Sequence, residues 1–151
     1  MSATTDTHIA LLRTGLDLVA AGRPDEVAPL LTDDFRITVH GAPEMLIGRE
    51  AWLGNVAIMN AAFSDLTFDI QHELAAGDLV AFNITYTARH TGDFLGIPAT
   101  GRTVSWQSLE HYRVEDGLIA EEWIASDIAS LMGQLTAEPV EPAAPSHGDP
   151  R

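Results

Sequence analysis

The spacing of apolar residues changes at Ser64. Before it, an apolar residue recurs at every third or fourth position near the N-terminus, as at Ile9, Leu12, Leu16 and Val19. This is the spacing of one face of an α-helix. Beyond Ser64, apolar and polar residues alternate, which is typical of strands with one buried face. The chain is therefore expected to begin with helices and to continue with strands.

Turn and capping residues divide this pattern into elements. Thr5 or Asp6 is expected to cap the first helix, and tight turns are expected at Gly77 and Gly117. The predicted helices cover residues 5–21, 25–31, 48–63 and 128–135. The predicted strands cover residues 35–40, 66–74, 79–90, 103–114 and 118–126. This order predicts an α+β domain with an antiparallel meander and helices gathered on one face.

The end of the chain has a different composition. Residues 137–151 contain four prolines among small and charged residues, so they cannot supply a packed face. We expect one domain over residues 1–136 and a disordered, acidic, proline-rich tail over residues 137–151.

Composition narrows the classes of function. The 151 residues carry a formal net charge of -14, which disfavours binding to nucleic acids or anionic membranes. The absence of cysteine excludes disulfides and thiolate sites. The N-terminus lacks the features of a signal peptide, and no apolar run is long enough to span a bilayer. A cytoplasmic protein is therefore expected.

Residues 90–102 read HTGDFLGIPATGR. This segment resembles the H-x-G-x-F-x-G-x-P-x-T-G-R segment of SnoaL-like proteins, and residues 131–135 resemble the closing L-x-x-Q-L of the same family. Further matching stretches are residues 62–66, 77–78 and 116–127. Because the matches follow one another along most of the chain, they are more specific together than any one alone. The chain resembles the SnoaL-like polyketide and ester cyclases of the nuclear-transport-factor-2-like superfamily.

The resemblance implies a particular fold and activity. The fold would be a cone-shaped barrel of a strongly bent antiparallel or mixed sheet, wrapped around three N-terminal helices and enclosing a largely apolar pocket. It also implies a homo-oligomer, either a dimer or a tetramer, and no metal or organic cofactor. The best-known members close the last ring of aromatic polyketides by an intramolecular aldol reaction, and others have different chemistries.

One departure from the family bears on the mechanism. An aspartate on the last strand is the general base of the known aldol cyclases, and the corresponding position here is Ile124. A histidine that assists in those enzymes corresponds to Glu110. Isoleucine cannot move a proton, so the family's aldol mechanism does not transfer directly.

Strand alternation indicates which side chains accompany these two positions. If Ile124 faces the pocket, Glu122 does too. If Glu110 faces the pocket, so do the residues of the same parity on its strand, Trp106, Ser108 and Tyr112. A tight turn joins the two strands, so Glu110 and Glu122 are expected to approach each other. In an apolar cavity their pKa values would rise or split, leaving one acid and one base; alternatively, one or both lie at a solvated rim.

The predicted catalytic residues are Glu110, His90, Tyr112 and Glu122. His90 would donate to a substrate oxygen or, alternatively, pin its loop by bonding a backbone carbonyl. Tyr112 would donate to a developing oxyanion or simply pack with its hydroxyl satisfied. The predicted substrate-binding residues are Ile124, Trp106, Ser108, Asn83, Thr85, Trp52, His40 and Phe94. No metal site is expected, because the histidines lack paired ligand spacing.

Three functions remain open. The first is a cyclase that closes a ring in a polyketide-like molecule, acting mainly through the shape of its pocket with limited acid–base help. The second is an epoxide-opening cyclase or hydrolase that uses Glu110 and Glu122. The third is a non-catalytic binding protein that serves a biosynthetic oxygenase.

Overall fold

A computed structural model describes residues 2–139 of the chain. It contains three α-helices and six strands. The helices are α1 (Ala3–Ala20), α2 (Arg49–Ala62) and α3 (Ile128–Thr136). The strands are β1 (Leu31–Val39), β2 (Leu46–Ile47), β3 (Phe63–Ala76), β4 (Leu79–His90), β5 (Thr103–Glu115) and β6 (Leu118–Ser126). The α+β class is confirmed, and most of the predicted tail lies outside the described residues.

Helix α1 begins earlier than the pattern predicted. Its N-cap is Ser2, whose extended backbone lets the side chain accept from the Thr5 N–H at 3.3 Å. The prediction of a cap at Thr5 or Asp6 is wrong. The Thr5 hydroxyl instead donates to the Ser2 carbonyl oxygen at 2.7 Å. One more turn of helix results, and Ile9 and Leu12 are buried on its inner face.

The predicted second helix is not an α-helix. The chain there forms two 3-10 turns, Pro24–Glu26 and Ala28–Leu30, and Leu31 already belongs to β1. Pro29 has no N–H, so a continuous α-helix through this segment would lack a backbone hydrogen bond and clash with the preceding turn. The N-terminal layer therefore has two α-helices where three were predicted.

The strands form one six-stranded mixed sheet in the order β2-β1-β6-β5-β4-β3. Strands β3 to β6 form the predicted antiparallel meander. Strand β1 pairs in parallel with β6, a long-range pairing with no local signal. Within residues 2–139 the edge strands β2 and β3 do not pair with each other, so the sheet stays open where a barrel was expected.

Two apolar clusters hold the layers together. The larger one joins α1, β1 and α2 to the inward side chains of β4, β5 and β6, with Phe35, Ile37 and Ile84 almost fully buried. The smaller one joins the start of β3 to β5 and α3 around Phe63 and Leu131. No helix among the described residues is long and apolar enough to cross a membrane.

The loop from β4 to β5 is held against the end of α2. The N–H groups of Thr91 and Gly92 both donate to the Ala62 carbonyl oxygen, at 2.9 and 3.0 Å. A Cβ atom at Gly92 would lie 2.0 Å from the backbone oxygen of Ala61. Only glycine allows this approach without displacing the loop.

We expect Gly92→Ala to destabilise the protein by on the order of 3 kcal/mol, because backbone must move to relieve the contact. Urea unfolding followed by circular dichroism measures the loss. Gly54→Ala is the matched control, since a Cβ at this position in α2 meets nothing within 4 Å. The control should be neutral or more stable than the wild type by up to about 1 kcal/mol. Equal stability of the two variants would contradict the steric argument.

Candidate active site

A cavity of about 270 Å³ lies between the N-terminal helices and the sheet. Most of its wall is apolar, including Trp52, Met59, Phe63, Trp106 and Ile124. The polar lining residues are His40, Asn55, Asn60, Tyr86, Glu110, Tyr112, Glu122 and Ser126. The hollow expected from the resemblance is present, and both candidate carboxyls line it.

The alternation of β5 carries Glu110 into the cavity. Residues 104, 106, 108, 110 and 112 are buried, whereas those between them are exposed. Glu110 is 4% exposed, so the alternative of a solvated rim position does not describe it. Across the sheet, Glu110 is paired with Ile124 of β6 and lies on the same side of the sheet.

Two tyrosine hydroxyls donate to the Glu110 carboxylate. Tyr86 of β4 reaches Oε1 at 3.0 Å, and Tyr112 of β5 donates to Oε2. Burial raises the pKa of Glu110 above its usual 4.5, and hydrogen bonds from Tyr112, Ser108 and Tyr86 counter part of this effect. The two phenols therefore favour the ionised form of Glu110.

Glu122 is the second buried carboxyl, 7% exposed, and it lies directly opposite Tyr112 in the β5–β6 register. Burial, together with the negative charge of Glu110, raises the pKa of Glu122 to about 8, although the neighbouring Tyr112 hydroxyl counters part of this rise. Among the described residues that line the cavity there is no lysine or arginine to neutralise either carboxyl. At neutral pH Glu122 is therefore protonated, and the phenol donors favour ionisation at Glu110.

The two phenols remain protonated at neutral pH. Burial raises the pKa of Tyr86 and of Tyr112 well above 10, and the nearby carboxylates raise both further. Tyr86 also stacks on Trp106, with ring centroids 5.6 Å apart. The tyrosines are thus fixed hydrogen-bond donors at the carboxylate.

Several predicted binding residues do line the cavity. Trp52, Trp106 and Ile124 form part of its wall, and the exposed His40 lies at its mouth. Ser108 faces inward as predicted, but it lies behind the wall, where its hydroxyl pairs with that of Ser126 at 2.9 Å. The binding roles of these residues remain predictions.

Three further predicted binding residues do not reach the cavity. Asn83 and Thr85 share one face of β4, as expected, but it is the outer face, because Phe82, Ile84 and Tyr86 turn inward. Phe94 is buried elsewhere, in the smaller cluster, with its ring centroid 5.0 Å from that of Phe63. The prediction that these residues contact a substrate in this cavity is corrected accordingly.

His90 also lies away from the cavity. It is fully buried, and its Nδ1 accepts from the Thr100 N–H at 3.1 Å and lies 3.0 Å from the Thr100 hydroxyl. This geometry corresponds to the alternative in which His90 holds the loop between β4 and β5 in place. Its hydrogen-bond partner is a backbone N–H, whereas a backbone carbonyl was expected. A direct contact with substrate is not supported.

Four polar lining residues were missed by the sequence reasoning. Tyr86 has the same strand parity as the apolar Phe82 and Ile84, which was the signal available for it. Asn55 and Asn60 lie on the α2 face that also carries Trp52 and lines the cavity. Ser126 has the same parity as Glu122 and Ile124 on the predicted strand 118–126, which was the signal available for it.

The family model for SnoaL-like polyketide cyclases matches residues 9–135. The chain belongs to this family. The aklanonic acid methyl ester cyclase DnrD of Streptomyces peucetius is 30% identical over 133 residues, which cover 85% of this chain and 90% of that protein. DauD of Streptomyces sp. (strain C5), an enzyme of the same name, is 30% identical over 132 residues, covering 85% and 81%.

Solved structures of related proteins share the fold. A SnoaL-like protein from Jannaschia Sp. CCS1 superposes with a TM-score of 0.84 at 22% identity, covering 92% of this chain and 98% of that one. IdmH from Streptomyces antibioticus superposes with a TM-score of 0.74 at 30% identity, covering 86% and 99%. The cone-like arrangement of helices against a bent sheet is thus the architecture of the family.

We expect Glu122→Gln to flatten the pH dependence of stability. The folded-state pKa of about 8 lies above the usual 4.5, so the folded state binds this proton more tightly than the unfolded state. The contribution of Glu122 to the free energy of unfolding is fully present below its pKa in the unfolded state. This contribution decreases by up to about 1.4 kcal/mol per pH unit as the pH rises towards the pKa of Glu122 in the folded state.

Free energies of unfolding in urea, measured from about pH 5 to pH 9, test this linkage. Glu122→Gln should become more stable than the wild type at the alkaline end. Glu115→Gln, at an exposed position in the β5–β6 turn, should follow the wild-type curve. Parallel curves for the wild type and Glu122→Gln would show that Glu122 is not protonated on folding.

Proposed function

We propose that this protein closes a ring in a polyketide-type intermediate, with Glu110 as general base and Glu122 as general acid. The observation that carries the proposal is the pair of buried carboxyls in the wall of an apolar cavity, with no cationic side chain among the lining residues. Such a pair destabilises the empty protein and has no packing purpose that apolar residues would not serve better. The resemblance to aklanonic acid methyl ester cyclases supports a substrate of this class.

The proposed reaction is an intramolecular aldol closure. Glu110 removes a proton from a carbon activated by neighbouring carbonyls, and the resulting enolate carbon attacks a second carbonyl carbon. As the new C–C bond forms, the carbonyl π electrons move to oxygen, which takes the proton of Glu122. One proton leaves carbon and one reaches oxygen, so Glu110 ends protonated and Glu122 ends ionised.

The β5–β6 register supports this assignment of the base. The resemblance implies an aspartate base at the position of Ile124, and Ile124 is paired directly with Glu110. Side chains paired in this way have Cβ atoms about 5 Å apart on the same face of the sheet. A carboxylate at position 110 therefore reaches the region of the cavity that a carboxylate at position 124 would serve.

The apolar wall contributes in a second way. Trp52, Trp106 and Ile124 limit the conformations that a bound chain adopts, which favours folded conformers with the reacting carbons close together. The same wall excludes water, which would protonate the enolate before the ring closes.

We expect Glu110→Gln to lower the rate of ring closure by about 100-fold or more, because it removes the base while retaining the side-chain volume. Aklanonic acid methyl ester is the first substrate to test, followed by other linear precursors, with product formation followed by chromatography. Glu115→Gln, exposed in the β5–β6 turn, is the control and should retain the wild-type rate. An undiminished rate in Glu110→Gln would exclude this residue as the base.

We expect the wild-type turnover rate to fall as the pH rises through about 8, because the acid works only while Glu122 is protonated. Glu122→Gln should be slower at neutral pH and should lack this alkaline limb. A wild-type profile that is flat across this range would contradict the role of Glu122.

Epoxide opening is a second candidate, favoured by the proton that Glu122 holds at neutral pH. Opening an epoxide requires a proton at its oxygen and a base for the attacking hydroxyl or water, which Glu122 and Glu110 would provide. Turnover of an epoxide-containing precursor, without ring closure of aklanonic acid methyl ester or the other linear precursors, would favour this candidate over aldol closure.

A further inference from the structure

Tyr112 lies between the two buried carboxyls. Along β5 it is two residues from Glu110, on the same face, and across the sheet it is directly opposite Glu122. Its hydroxyl donates to Oε2 of Glu110. A phenol has one proton to donate and lone pairs with which to accept, so it is able to bond one carboxylate and one carboxylic acid at the same time.

We propose that Tyr112 is a proton bridge through which Glu110 and Glu122 share a single proton. In the structure Tyr112 donates to the Glu110 carboxylate. In the proposed bridge its oxygen accepts the carboxyl proton of Glu122, its partner across the sheet. Transfer moves two protons in the same direction. The Glu122 O–H bond breaks as Tyr112 gains that proton, and the original Tyr112 O–H bond breaks as Glu110 becomes protonated. The total charge is unchanged.

The bridge would return the proton from Glu110 to Glu122 after each turnover of the proposed cyclase. This part of the inference rests on the proposed function. After ring closure Glu110 holds the proton taken from carbon, whereas Glu122 has lost its own. Transfer through Tyr112 in the opposite direction restores the starting state without bulk water, from which both carboxyls are shielded. Because burial keeps the pKa of Tyr112 well above 10, both protons move together and no phenolate accumulates.

Tyr86 provides a natural comparison. It also donates to Glu110, at 3.0 Å, but it comes from β4, on the side of β5 away from β6. It favours the ionised form of Glu110 without facing Glu122 across a strand pair. The remaining titratable residue that lines the cavity, among those described, is His40 at the exposed mouth. Tyr112 is therefore the positioning residue that connects acid and base.

Titration of the two glutamate side chains tests the bridge in the ligand-free protein. In protein labelled with ¹³C at the glutamate Cδ, Glu110→Gln and Glu122→Gln assign the two signals. The measured quantity is the separation between the two macroscopic pKa values of the pair, which a bridge widens because it stabilises the singly protonated state. We expect this separation to be retained in Tyr86→Phe and to become smaller in Tyr112→Phe. An equal separation in Tyr112→Phe and the wild type would overturn the proposal.

A second measurement does not require Tyr112 to be replaced. The chain has only two tyrosines, so Tyr86→Phe labelled with 3-fluorotyrosine carries one ¹⁹F reporter, at Tyr112. Its signal should follow the titration of both carboxyls, and adding Glu122→Gln should remove one of the two steps. A ¹⁹F titration that Glu122→Gln leaves unchanged would show that Tyr112 does not contact Glu122, even if Tyr112→Phe fails to fold.

Kinetics separate the bridge from the proposed function. We expect both Tyr112→Phe and Tyr86→Phe to slow the first turnover, because each removes a donor that favours the ionised form of Glu110. In Tyr112→Phe later turnovers should be slower than its own first turnover by about 10-fold, whereas Tyr86→Phe should slow first and later turnovers equally. Equal slowing of first and later turnovers in Tyr112→Phe would overturn this return of the proton through Tyr112. If the wild-type protein closes no ring, the proposed function fails, and the two titrations still decide whether the proton is shared.

Discussion

Two carboxyl groups on neighbouring strands lie in an apolar cavity without a cation among its described lining residues, and the proposed chemistry depends on them. Removing two charges from water together costs several kcal/mol, so the folded state favours a proton on one of them. The proton is favoured on Glu122, because Glu110 has two phenol donors and its charge raises the pKa of Glu122. Two side chains of the same residue type thereby differ in proton affinity.

The β5–β6 hairpin organises the site. Its register places Glu110 opposite Ile124 and Tyr112 opposite Glu122, which gives one pair with a carboxyl on β5 and one with a carboxyl on β6. A carboxyl on either strand of this pair therefore faces the same cavity. A chain without the aspartate that the resemblance leads one to expect still presents a buried carboxyl there, at Glu110.

Elements distant from the carboxyls in the sequence shield them from bulk water. Helices α1 and α2 pack against the sheet and supply the apolar wall that raises the two carboxyl pKa values. The loop after β4 is held by the close approach of Gly92 to α2 and by the buried His90. His90 and Phe94 belong to the family-like segment of the sequence, yet they stabilise this loop and do not line the cavity. The segment that carries the family resemblance, residues 90–102, is thus separate from the two carboxyls in the cavity.

The sequence by itself determined the order of the main helices and of strands β3 to β6. It also determined which β5 residues share a face with Glu110 and which side chains are available for proton transfer. These follow from short-range periodicity, since every second residue of a strand shares a face. The tertiary structure decided which face of β4 is inside, which replaced Asn83 and Thr85 with Tyr86 as neighbours of the site. It also decided the parallel pairing of β1 with β6 and the pKa of Glu122. Those properties depend on groups far apart in the chain, and the proton affinity of a carboxyl depends on everything that surrounds it in the folded protein.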